Sequence, residues 1–443
     1  MPDFEAIALA WQELTVLRDA VTDPLSLQAL ELARELAAPA PAPDQVARVC
    51  RELAVRLVEW AELSTRARCG DAWQEYLVDR ILEGNHVLGR KASLAPADQI
   101  GASLLEMAAA DLERLRVIYD LTSGAAQQAC AGLGLNHMPT WDKTVGLAPD
   151  NAAPVDPADE LRRQFHQEDA WAPLIQPLAN RYYKDGVGSM AQFLAFRWHT
   201  EEGFVGVPRP DPIALDDLVG YDYQKQSLIQ NTRQFLAAVP CNNILLYGAR
   251  GTGKSSLVKA LLNTYAREGL RLVEVAREDI QQFPEIVRRL RGRPQRFLLF
   301  ADDLSYDDSE LHYRELKAAL EGSIEGRPEN VLLYATSNRR HLIRERFRDR
   351  EAADDEIHTH DTVQEKLSLS DRFGLTLSFP PPSQADYLRM VETITLRRGI
   401  RLNREDLHAR ALRWAALHNI PSGRTARQFV DDLQGREGLN ASG

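Results

Sequence analysis

Cysteine is scarce in this chain, and the four present, Cys50, Cys69, Cys130 and Cys241, are scattered, with no Cys-x-x-Cys and no histidine at metal-ligand spacing. That excludes a disulfide framework or a structural zinc site as the organising device and leaves small buried hydrophobes in a reducing compartment. Long apolar runs are missing too, so no stretch reads as a bilayer-spanning helix. The start, Met1-Pro2-Asp3-Phe4-Glu5, is acidic where a secretory signal is basic. The expectation is a soluble cytoplasmic protein with no membrane contact. Positive charge is in deficit: the formal net charge is −11 over 443 residues, which argues against a chain whose main business is coating nucleic acid. A histidine pair, His358-Thr359-His360, has no third ligand beside it and is weak evidence for a metal.

Against those absences stands one dense stretch, Gly248-Ala249-Arg250-Gly251-Thr252-Gly253-Lys254-Ser255, followed by Ser256 and preceded by the apolar run Ile244-Leu245-Leu246-Tyr247. Three glycines let a backbone fold tightly enough for successive N–H groups to face phosphate oxygens, and a helix opening near Lys254 adds the positive end of its dipole. Lys254 is placed to reach the β- and γ-phosphates, and the Ser255 hydroxyl is a small neutral ligand suited to Mg²⁺. Leu257, Leu261 and Leu262 recur at helical spacing after the loop, as the strand–loop–helix context requires.

A length of 443 residues implies more than one core. Residues 1–146 read as a helical N-terminal region. Asp23-Pro24 can open one helix, and Asp44 can cap a second whose apolar stripe is Val46, Val49, Leu53, Leu57 and Trp60. Nothing there resembles a catalytic cluster, so a scaffolding or interaction bundle, docking an unidentified protein, is expected. Residues 147–159, rich in Pro, Ala, Asn and Asp, read as a linker. Residues 160–212 read as a helical connector whose aromatics, Trp171, Tyr182, Tyr183, Phe193, Phe196 and Trp198, suit packing better than base stacking.

Residues 213–381 alternate strands with helices. Five strands are expected, at Ile244–Tyr247, Leu270–Val275, Phe297–Ala301, Val331–Ala335 and Leu375–Phe379, with helices at Ser255–Arg267, Ile280–Arg291 and Glu310–Glu321. Near-continuous apolar strands between helices predict an α/β fold with a parallel sheet covered on both faces and ligand at its carboxyl edge. After Pro380-Pro381-Pro382, residues 382–443 read as a helical lid bearing Arg424 and Arg427.

The third strand delivers Asp302 and Asp303 to that edge, a Walker B pattern: Asp302 to hold Mg²⁺, Asp303 to orient or deprotonate a water. Asn338 follows the fourth strand and can bond both a γ-phosphate and that water. Arg372, in Ser370-Asp371-Arg372-Phe373-Gly374, can present a guanidinium to a γ-phosphate. Arginines also cluster at 288–296 and 339–348; either group could face nucleic-acid phosphates, though solvated faces or subunit-interface pairs are favoured.

In that order these motifs resemble those of an AAA+ P-loop ATPase. From about Pro210 to Arg427 the text resembles the bacterial ATP-binding family catalogued as a domain of unknown function, in the phrases GYDYQKQSLIQNT, LLYGARGTGKSSLVKALL, DDLSY, YRELKAALEGSIEGRPENVLLYATSNRRHL and SDRFGLTLSF. The resemblance implies a five-stranded core with a helical lid, ATP and Mg²⁺ as ligands, Gly220 and Tyr221 against the adenine, and Arg427 or alternatively Arg424 as the lid's γ-phosphate sensor. It also implies a homo-oligomer in which Arg372 acts on a neighbour's nucleotide. Two departures matter. The residue after Asp302 is aspartate where most relatives carry glutamate, which shortens the base by a methylene. Ala276 to Ile280 lacks the aromatic-apolar-Gly loop of threading unfoldases, which disfavours threading of polypeptide.

Overall fold

A computed structural model describes residues 2–63, 69–142, 157–304, 328–338, 373–418 and 421–442. The expected helix Glu310–Glu321, the arginines at 339–348, His358, His360 and Arg372 lie outside the described residues. The chain divides into two compact units, Met1–Gln192 and Phe193–Gly443.

The first unit is helical throughout its described residues. It contains α1 (Phe4–Glu13), α2 (Pro24–Ala37), α3 (Pro43–Leu63), α4 (Ala72–Glu83), α5 (Val87–Ala92), α6 (Ala102–Tyr119), α7 (Ser123–Gly132), α8 (Pro157–Gln167), α9 (Ile175–Asp185) and α10 (Ser189–Gln192). Asp23 caps α2, its carboxylate accepting from the N–H groups of Leu25 and Ser26 at 3.0 and 3.1 Å, with Pro24 at the first helical position. Asp44 does not cap α3 as expected: Pro43 takes the first position and Asp44 sits inside the first turn, where its charge complements the helix dipole. Of the expected stripe, Val46, Val49, Leu53 and Leu57 are wholly buried and Trp60 is half-buried against the same core. Because α8 starts at Pro157, the last three residues of the expected linker are helical.

The second unit is built on a seven-stranded sheet in the order β2-β1-β4-β5-β6-β3-β7. The five expected strands are its parallel heart: β3 (Ile244–Gly248), β4 (Leu270–Glu274), β5 (Arg296–Ala301), β6 (Val331–Ser337) and β7 (Leu375–Phe379). Every residue of β6 is buried, as a central strand covered on both faces must be. Around it pack α11 (Asp222–Leu236), α12 (Lys254–Tyr265) and α13 (Phe283–Leu290), and Leu246, Leu257, Phe300 and Tyr334 share one core.

The extra strands correct the expected connector. β1 (Ala195–His199) and β2 (Gly203–Gly206) form an antiparallel hairpin, and β1 runs parallel to β4 with Ala195 opposite Leu272. The physical reason lies in the period. Phe196 and Trp198 are buried while Arg197 and His199 face out, a strand alternation inside an aromatic-rich segment that composition alone suggests is helical. Trp198 packs edge-on against Phe204 of β2 at 5.0 Å. The second unit therefore begins at Phe193, ahead of the expected 213. Its lid is α14 (Gln384–Arg397), α15 (Arg404–Leu417) and α16 (Gly423–Ser442), closed on Tyr387, Val391, Leu407, Phe429 and Val430.

Candidate active site

The glycine-rich loop leaves β3 where that strand meets β7. Gly248 has φ 139°, and a Cβ there would stand 2.1 Å from the Phe379 carbonyl oxygen, so only glycine allows the two backbones to meet. The next N–H, of Ala249, donates to that same carbonyl at 3.1 Å. The loop closes on itself through Thr252, whose Oγ1 donates to the Ala249 carbonyl at 2.9 Å. Gly253 caps α12 at φ 92°, and Lys254 follows as the first helical residue.

Lys254 is nearly buried, and its Nζ donates to the carbonyls of Gly248 and Ala249 at 2.9 and 2.8 Å, using two of its three donors. Burial lowers its pKa below the usual lysine value, a shift that the carboxylates of Asp303 and Asp302 oppose without cancelling. The ammonium is thus folded over the loop it would arm.

β5 carries Asp302 and Asp303 out of the core to the same edge. Ser255 Oγ donates to Asp302 Oδ1 at 2.6 Å, which joins the loop to the strand end. Asp303 sits at φ 51°, a left-handed conformation costing about 1–2 kcal/mol in a non-glycine residue. Its carboxylate accepts from the Asn338 Nδ2 amide, so the residue after β6 is bonded to the second acid.

The opposite wall comes from the segment before α11 and from the lid. Gly220 and Tyr221 both adopt positive φ. Tyr221 donates its hydroxyl to the Pro380 carbonyl at 2.6 Å and packs on the Phe379 ring at 5.0 Å, and burial pushes its phenol up to about 12. The backbone N–H of Arg424, at the start of α16, donates to the Gly251 carbonyl at 3.2 Å, tying lid to phosphate loop. Arg397 of α14 pairs with Asp217 at 2.5 Å, a second lid-to-core link.

These walls enclose a cavity of ≈ 540 Å³. Its lining includes Gly220, Tyr221, Arg250, Gly251, Thr252, Gly253, Lys254, Ser255, Ser256, Asp302, Asp303, Asn338, Arg424 and Arg427. Gly248 and Ala249 stand behind it as the carbonyls that hold Lys254. Arg372 lies outside the described residues. The structure adds Thr336, Met390 and Ile394 to the lining. The two apolar lid residues, with Leu218 and Val219, add apolar surface to a lining otherwise dominated by the polar loop and acids. The donor set at the loop end, a hydroxyl and carboxylates, is hard oxygen chemistry and fits Mg²⁺.

The first arginine group is largely occupied within the unit. Arg288 and Arg289 pair with Glu285 at 2.6 Å, Arg289 also lies over the Trp198 ring, and Arg296 donates to the Glu329 carbonyl at 2.6 Å. These partners all lie within the one chain, and the Arg288 side chain stays largely exposed, as a solvated face would have it.

No curated protein matches the chain. Among solved structures it is similar to the Thermotoga maritima RuvB Holliday junction branch migration motor, at 15% identity over 50% of this chain and 72% of that one, with a TM-score of 0.30. It is likewise similar to a chain of the E. coli MS115-1 HORMA:CdnC:Trip13 complex, at 14% identity over 49% of this chain and 89% of that one, with a TM-score of 0.32. A family model described as "Protein of unknown function (DUF815)" matches residues 191–437, a span that opens just before the β1–β2 hairpin and takes in the phosphate loop, both acids, Asn338 and the lid. With more than half its length so matched, the chain belongs to the DUF815 family.

Proposed function

We propose that the chain is an AAA+ type ATPase that binds ATP between phosphate loop and lid and hydrolyses it to ADP and phosphate. The observation that carries this reading is that the loop, both acids, Asn338 and the two lid arginines line one cavity. Its ≈ 540 Å³ lies within the roughly 300–1,000 Å³ usual for small-ligand sites. The base would lie beside Tyr221, Met390 and Ile394, and the phosphates would lie along the loop N–H groups with Lys254 exchanging a carbonyl for a phosphate oxygen. Ser255 and Asp302 would hold Mg²⁺, which when bound neutralises charge on the phosphate oxygens. Asp303 would accept the proton of the attacking water as its oxygen bonds to the γ-phosphorus and the bond to the bridging oxygen breaks. Asn338 would fix the Asp303 carboxylate and the water, and Arg427, or in its place Arg424, would reach the γ-phosphate from the lid.

AAA+ relatives couple such a cycle to moving a macromolecule, and a remodeller or loader with an unidentified partner, docked through the N-terminal helices, is the form proposed here. A low-turnover switch is the second reading. It is favoured by the second acid being an aspartate, whose carboxylate is one methylene shorter than glutamate's and so sets the base back from the attacking water. Steady-state phosphate release separates the outcomes. Wild type should turn over ATP, and Lys254→Ala should neither bind nor hydrolyse it. Asp303→Asn should bind with turnover reduced by about 10² or more. Tight binding with no wild-type turnover would favour the switch; no binding at all would end both readings.

A further inference from the structure

A residue outside every phosphate-loop motif holds both acids in place. Thr336 lies in β6, and the β5–β6 register, Ala301 opposite Ala335, sets it beside Asp302. Its Oγ1 donates to Asp302 Oδ1 at 2.5 Å and accepts from the Asp303 N–H at 2.8 Å. Its carbonyl accepts from the Leu304 N–H at 2.7 Å. One residue thus grips three consecutive residues of the turn in which Asp303 takes its left-handed backbone.

The donor count makes this grip directional. A backbone N–H can only donate, so the hydroxyl accepts from Asp303 through a lone pair and gives its single proton to Asp302. Asp302 Oδ1 then receives two hydroxyls, from Thr336 and Ser255, and among the described residues its second oxygen accepts no hydrogen bond. Thr336 is 2% exposed, and a β-branched side chain in a strand is stiff at χ1, so the hydroxyl is presented in one direction.

We propose that Thr336 is the positioning residue of the two acids: through its hydroxyl it aims Asp302 at the metal position and Asp303 at the attacking water. It acts through the Asp302 carboxylate and the Asp303 backbone N–H, the two groups its hydroxyl bonds. The proposal rests on the ATPase reading above. A hydroxyl that merely satisfied a buried N–H would affect stability without separating catalysis from substrate binding.

The test compares kcat and KM for ATP in wild type, Thr336→Val and Thr336→Ser. Valine keeps the shape and removes the hydroxyl; kcat should fall by about tenfold or more with KM within about threefold of wild type. Serine keeps the hydroxyl and loses a methyl; its kcat should stay within about threefold of wild type. Wild-type kcat in Thr336→Val overturns the proposal. So does a kcat in Thr336→Ser about tenfold below wild type, a result that counts even if the valine variant fails to fold. If wild type itself neither binds nor turns over ATP, the ATPase reading fails and takes the proposal with it, an outcome visible before any variant is made.

Discussion

Asn338 and Asp303 hold each other through an amide and a carboxylate at the mouth of the cavity, and that bond sets what each can do. Without the amide, Asp303 keeps its backbone place but loses the group that fixes its carboxylate. Asn338→Ala should therefore lower single-turnover hydrolysis by about 10²-fold while ATP still binds. Far from the cavity, Glu75 of the helical unit sits buried between Arg162, at 3.0 Å, and His166, at 3.3 Å. Burial pushes its carboxyl up, but the bonds from His166 and the Cys69 N–H, with the charges of His166 and Arg162, outweigh this and hold it down at about 2. A depressed carboxyl pKa stabilises the fold above the unfolded value near 4.5, and that contribution, about 3 kcal/mol, drains away as pH falls toward 2. Unfolding measured across that window should be steeper for wild type than for Glu75→Gln. Lys254, Ser255, Asp302 and Asp303 were legible because a phosphate loop and a strand-end acid pair are contiguous patterns. Thr336 was not: its work depends on which residue of β6 stands beside Asp302, and strand register between segments about thirty residues apart leaves no local mark.

At the scale of elements, the junction of β3 and β7 is the tightest point of the site. A methyl at Gly248 would meet the Phe379 carbonyl at 2.1 Å in a backbone conformation that side chains rarely adopt. Gly248→Ala should cost the second unit about 2–4 kcal/mol in denaturant unfolding, from strain and overpacking together. The parallel strands were readable because each is a short apolar run bounded by turns. The β1–β2 hairpin was missed because its aromatics dominate the composition of a segment whose alternation spans only Ala195 to His199, and because pairing with β4 is a long-range event. The lid's helices were readable. Their hold on the phosphate loop, through the Arg424 N–H and the Gly251 carbonyl, is a backbone contact that no side-chain pattern announces.

For the whole molecule, catalysis needs more than one copy if Arg372 serves a neighbour's nucleotide, as the AAA+ resemblance implies. A one-to-one mixture of Lys254→Ala and Arg372→Ala proteins combines, at some interfaces, an intact loop with an intact arginine. Phosphate release by the mixture should exceed the sum of the two variants alone; an additive result would place Arg372 outside trans catalysis. All of this presupposes that the cavity takes a nucleoside triphosphate. Calorimetric titration of ATP into wild type and Lys254→Ala, each with Mg²⁺ and with EDTA, tests that most directly. Wild type should show saturable one-site binding that weakens in EDTA and is lost in Lys254→Ala. Equal heats from the two proteins, or none from wild type, would contradict it.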